Sequence, residues 1–290
     1  MVGNYNTKDR KPFLKSILTL LTGTTIAQAI PIAISPILTR IYTPEDFGLL
    51  ALYLSIFSIF VVSITARYEL AIMLPKEDKE AVNLVVLSII IATGISIVIL
   101  LIVILWGSNI ASMLGNDDIY PWLYFMPLSL FLSGLYQAFN YWSNRKQQYQ
   151  RLAVNRVAQS TTNASINLAV GSEKEGAIGL IAGNIISQFI ATASLVLRSI
   201  KKDKLKISSV SKKEMIYLAK RYDQFPKVSV WSGLLNTVSV QLPVFIISAF
   251  FSSTIVGFYS LSNRVLNMPM SILGNAVGQV FFSSIFKFKI

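Results

Sequence analysis

Residues 84–105, LVVLSIIIATGISIVILLIVIL beginning at Leu84, contain no charged side chain. As an α-helix this stretch rises about 33 Å at roughly 1.5 Å per residue, slightly more than the ~30 Å hydrocarbon core of a bilayer. A soluble core rarely needs an apolar helix of that length. The rest of the chain agrees: 53% of its 290 residues are hydrophobic and 14% charged, and its mean hydropathy is +0.57. A soluble domain carries about 25% charged residues. The chain is therefore expected to be an all-α polytopic membrane protein, in which length counts helices rather than globular cores.

The net charge of +12 would suggest nucleic acid in a soluble protein. In a membrane chain it reports loops held at one face, so no nucleic-acid partner is expected. With no cysteine and no histidine there is no disulfide framework, thiol nucleophile, imidazole base or His/Cys metal site. No GxxxxGK[ST] phosphate loop occurs. Neither a cofactor nor a catalytic activity is expected.

Apolar runs and their breakers place about eight helices, near 14–38, 47–66, 84–105, 121–142, 153–170, 176–197, 228–250 and 258–286. The first is read as an uncleaved helix, because apolar sequence continues beyond the Ala27-Gln28-Ala29 triplet that mimics a cleavage site. With a cytoplasmic N-terminus, every Lys and Arg except Arg40, Lys174 and Arg264 falls at or near the cytoplasmic side. Tyr120, Trp122, Tyr124, Tyr141 and Trp142 flank the fourth helix, where interfacial anchors are expected.

The long hydrophilic link, residues 199–227, carries Met215, Ile216, Leu218 and Ala219 among Lys212, Lys213, Lys220 and Arg221. That pattern fits an amphipathic piece on an anionic leaflet and equally a solvated linker. An internal repeat spans the link. Pro36 precedes Phe47-Gly48-Leu49 as Pro243 precedes Val256-Gly257-Phe258, each proline-bearing helix being followed by a short outer loop and a Gly-marked helix start. This divides the chain into a six-helix lobe at 1–198, the basic linker at 199–227 and a partial second lobe at 228–290.

Polar side chains inside apolar helices mark what the helices enclose. Asn155, Gln159, Asn163 and Asn167 recur every fourth residue, and Asn263, Asn267, Ser271, Asn275 and Gln279 line the eighth helix in the same way. Each four-residue step drifts about 40° on an α-helix, so the amides form a broad stripe. Such a stripe cannot face lipid without leaving donors unpaired. Helix-to-helix hydrogen bonds and a wet, sugar-binding cavity both account for it. Arg40, Arg67, Arg156 and Arg264 lie near helix ends as cationic candidates. Snorkelling or a local pair with Glu69 also explains Arg67. Gly179 with Gly183, and Gly274 with Gly278, are GxxxG pairs suited to close helix packing.

Several stretches together carry a family resemblance: PILTRIYTPEDFGLLALYLSIFS (36–58), ARYELAIMLPKEDKEAVNLVVLS (66–88), YQAFNYWSNRKQQYQRLAVNRVAQS (136–160) and VGFYSLSNRVLNMPMSILGNAVGQVFF (256–282). The chain resembles the polysaccharide and O-antigen flippases of the multidrug/oligosaccharidyl-lipid/polysaccharide exporter superfamily. The resemblance implies two six-helix lobes around a central cavity in the bacterial inner membrane. It also implies an undecaprenyl-diphosphate-linked oligosaccharide as substrate and polymerase or other export components as partners, with membrane lipids around them. Such a cavity needs cations for the phosphates and amides for the sugars. The chain ends at Ile290, two helices into the second lobe of that pattern, so the resemblance is to a C-terminally truncated member. A multidrug or small-cation exporter of the same superfamily and an inactive flippase fragment are the alternatives.

Overall fold

The computed structural model describes residues 10–173, 176–203 and 210–266, and all its long elements are helices. They are α1 (Arg10–Ile41), α2 (Pro44–Ser63), α3 (Tyr68–Ala71), α4 (Asp78–Met113), α5 (Tyr120–Leu123), α6 (Met126–Arg145), α7 (Tyr149–Gly171), α8 (Ile178–Lys202), α9 (Lys212–Arg221) and α10 (Val230–Phe250). A final helix, α11, covers residues 253–266. Among the described residues, five spans are long and apolar enough to cross a membrane, in α1, α2, α4, α8 and the segment ending with α10. α6 and α7 are long enough but carry more polar side chains.

The local chemistry explains the boundaries. α2 starts at a capping box: Thr43 Oγ1 accepts from the Asp46 amide at 3.2 Å, and the Asp46 carboxylate accepts from the Thr43 amide at 2.8 Å. Pro44 at the first helical turn has no amide proton that would need a partner. α4 extends well beyond the charge-free run because Asp78 in its first turn is held by Arg145 and Lys146. The expected fourth helix is divided in two, with α5 ending at Leu123 and Pro127 opening α6.

The ion pairs among the described residues gather at one end of the bundle. Arg145 donates to the carbonyls of Ile72, Pro75 and Lys76 at 3.2, 2.6 and 3.2 Å, closing the turn that leads into α4. Arg151 makes two bonds to the Asp203 carboxylate at 2.8 and 3.0 Å, and Gln148 and Trp142 also donate to it. Trp142 is 2% exposed, so it belongs to the interior and not to an interfacial belt, unlike Tyr120 and Tyr124 at the opposite end, whose hydroxyls bond at 2.8 Å. The amphipathic piece of the link is α9. Leu218 is fully buried in a cluster with Tyr68, Val82 and Val85, while Ile216, Tyr217 and the lysines face outward. The Ser211 amide donates to Asn83, and Tyr68 Oη to the Ala219 carbonyl. α9 is thus docked on α3 and α4.

The opposite end is closed by close packing. Tyr42 Oη donates to the Asn167 carbonyl at 2.7 Å, and Leu38, Tyr42, Phe47 and Leu180 form a buried cluster that Leu261 joins. Asn116 donates to Ser253 at 2.7 Å, and Ser248 to the Leu114 carbonyl at 2.7 Å, tying the α4 terminus to α10 and α11.

Candidate functional site

Five helices surround a cavity of about 670 Å³. α1 contributes Thr24, Ala27, Gln28 and Pro31; α2 contributes Phe47, Leu50, Ala51 and Leu54; α7 contributes Arg156, Gln159, Ser160, Asn163 and Asn167; α8 contributes Leu180, Asn184 and Ser187; α11 contributes Ser260, Leu261, Asn263 and Arg264. Both charged residues in this lining are arginines, and no carboxylate is among them. The volume lies within the usual 300–1,000 Å³ range of small-molecule sites.

The polar wall is built by α7 against α1 and α8. Arg156 Nη1 donates to Thr24 Oγ1 at 2.7 Å, and Ser160 Oγ to the Ala27 carbonyl at 2.6 Å. That carbonyl is open because Pro31, four residues on, has no amide proton to offer it. Gln159 Nε2 donates to Gln188 Oε1 at 2.6 Å. Arg264 Nη2 reaches back from α11 to the Pro31 carbonyl at 3.2 Å. On the α8 side, Gly183 lets the Asn167 amide approach, since any Cβ there would overlap Asn167 Oδ1. Gly179 likewise admits the Tyr42 hydroxyl, so this GxxxG pair serves close packing.

Six of the sequence candidates meet in this cavity: Arg156, Arg264, Gln159, Asn163, Asn167 and Asn263. Asn155 starts the same stripe but lies about 120° from Asn167 after three steps of drift. It is buried, with Nδ2 donating to the Ala191 carbonyl at 2.9 Å. Arg40 is exposed at the end of α1. Arg67 lies at the charged end, 3.9 Å from Glu69. Asn267, Asn275 and Gln279, together with the Gly274 and Gly278 pair, lie outside the described residues.

Sequence reasoning missed Thr24, Gln28, Asn184 and Ser187. Their signal was present, as Thr24 and Gln28 are four apart in α1 and Asn184, Ser187 and Gln188 share one face of α8. In chemical terms, the cavity offers two guanidiniums to anionic groups and amides to hydroxyl-rich ones.

A helical multi-pass membrane protein enclosing a cationic, amide-lined cavity is the class that fold and site define. A family model described as polysaccharide biosynthesis protein matches residues 37–289, and the chain belongs to that family. No curated protein and no solved structure matches it significantly.

Proposed function

We propose that the protein translocates an undecaprenyl-diphosphate-linked oligosaccharide across the bacterial inner membrane, acting as a flippase and not as an enzyme. One observation carries the reading. The cavity holds Arg156 and Arg264 with amides on α7 and α11, and lacks carboxylates among its described lining residues. Two guanidiniums suit a diphosphate, and amides suit sugar hydroxyls. Membership of a polysaccharide-biosynthesis family supports the same substrate class. A drug or small-cation exporter would be better served by acidic residues in the cavity.

In this proposal the charged end is cytoplasmic, as is the N-terminus, following the excess of Lys and Arg there. Residues 1–198 and 228–290 act as two lobes joined by the 199–227 linker, rocking about the cavity. Polymerase or other export components would act on the delivered glycan. The test is expression in cells lacking their own O-antigen flippase, with lipid-linked glycan measured on the periplasmic leaflet. Appearance of glycan there with wild type and its loss in Arg156→Gln/Arg264→Gln supports the proposal. Equal translocation by wild type and that variant, both verified in the membrane, would overturn it.

A further inference from the structure

The elbow between α2 and α3 holds a buried carboxylate that the cavity does not use. Beyond Ser63, Ala66 and Arg67 adopt φ of 49° and 63°, a left-handed conformation rare for residues with a side chain. The turn brings Glu69 to 1% exposure. Thr65 Oγ1 donates to Glu69 Oε2, and Arg67 Nη1 stands 3.9 Å from Oε1. That ion pair is looser than a hydrogen bond, and Arg67 Nε is buried without a protein partner.

The same guanidinium reaches a second element. It packs on Gly233 in the first turn of α10, where any Cβ would overlap Arg67 Nη2 and approach the Val62 side chain at 2.8 Å. Immediately before α10, residues Phe225–Ser229 form a π-helical turn, a geometry that is rare and frequent at functional sites. One cation therefore joins the elbow of the first lobe to the root of α10, beside an irregular turn that can absorb movement.

We propose that Glu69 is a proton-binding site whose occupancy controls the attachment of α10: protonated, it is accommodated in the buried elbow and Arg67 stays packed on Gly233; ionised, it draws the elbow and Arg67 toward water and α10 swings about the π-helical turn. The surroundings suit such a switch. Burial pushes the Glu69 carboxyl up, and donation from Thr65, its own backbone amide and the Arg67 charge offset that only in part. Tyr141 of α6 lies within electrostatic reach of both Glu69 and Arg67. The segment leading to α10 contributes Asp223 and Lys227, paired with each other and acting on Tyr68. α4 presents Ala81, Val82, Leu84 and Val85 to the cluster around Tyr68 and Ala71. This inference is independent of what the cavity carries.

Hydrogen exchange of amides 225–233, followed against pH in the full chain within phosphatidylglycerol/phosphatidylethanolamine vesicles and corrected for intrinsic exchange, tests it. Wild type should exchange faster as pH rises from the ordinary carboxylate range and Glu69 ionises. The change should be about tenfold for each unit by which proton affinity differs between attached and released α10. Glu69→Gln should stay at the slow limit throughout, and Asp223→Asn should keep the wild-type titration. Flat exchange in wild type would overturn the proposal even if Glu69→Gln failed to fold. Retention of the wild-type pH dependence in Glu69→Gln or Arg67→Gln would overturn it as well.

Discussion

Gly48 of α2 and Gly257 of α11 approach each other backbone to backbone. A Cβ built on either would lie 3.2 Å from the amide nitrogen of the other, and would overlap the carbonyl oxygen of Ser253 or Pro44 respectively. These are the two glycines on which the sequence pattern aligned α2 with α11, and the starts of the two helices pack on one another. Their contact lies at the end of the cavity remote from the ion pairs of Arg145 and Arg151.

Gly48→Ala or Gly257→Ala should force that end apart, because the obstructing atoms are backbone and cannot rotate away. Overpacking of this kind costs about 1–3 kcal/mol. The chain has no cysteine, so a single cysteine replacing Ala51, a cavity residue one turn from Gly48, reports alone. Its labelling by a membrane-impermeant maleimide should accelerate roughly tenfold in either variant, a shift of about 1.4 kcal/mol.

Under the proposed function, Arg156→Gln and Arg264→Gln should each lower translocation about tenfold or more while leaving the amount of membrane-inserted protein unchanged. A charge-assisted hydrogen bond to a phosphate contributes about 1.5–3 kcal/mol. Initial rates of periplasmic appearance of lipid-linked glycan, normalised to membrane protein, check this. Arg40→Gln, altering an exposed residue away from the cavity lining, should leave the rate within about twofold, or ~0.4 kcal/mol.

Stability should depend on acid through Asp203. Burial alone would raise its carboxyl, but donation from Arg151, Gln148 and Trp142 and the Arg151 charge hold it below the ordinary carboxylate range. Its folded value is depressed, so its contribution is complete above the unfolded value of about 3.9 and is lost as pH falls through the folded value. Asp203→Ala leaves Arg151 unpaired in a largely buried site and should cost about 3–5 kcal/mol at neutral pH. Thermal unfolding in detergent at neutral and acid pH should show the variant less stable at neutral pH and the gap narrowing in acid.

Thr43→Ala should cost about 1 kcal/mol by removing the hydroxyl of the α2 capping box. The reading is a lower unfolding temperature, with proteolysis sites sought in the Ile41–Pro44 connection.

The apolar core of α4 was legible because nothing but a membrane helix explains so long a charge-free run. Its ends were not: Asp78 continues the helix only with Arg145 and Lys146 beside it, and those partners lie far away in sequence. Trp142 reads as an anchor from its neighbours, yet Asp203, which accepts its indole N–H, also lies far along the chain. The α7 amides were legible through their spacing. The outlying direction of Asn155 follows from the drift of that same spacing. The elbow showed its local acid–base pair, Arg67 with Glu69, but not the left-handed turn that buries the acid. That turn depends on Thr65, Val62 and Gly233 packing around it.

Thr24, Ala27 and Pro31 fall on one face of α1, and each accepts from a donor in the cavity: Arg156, Ser160 and Arg264 respectively. The rest of that apolar span is scarcely buried by protein. α1 is therefore held in part from inside, by polar bonds that water or a ligand can replace. An anion that draws both guanidiniums to itself removes two of the bonds that hold α1 to α7 and α11. Occupancy of the cavity and retention of α1 are then linked quantities, and by reciprocity whatever pulls α1 outward must strengthen the hold on the anion.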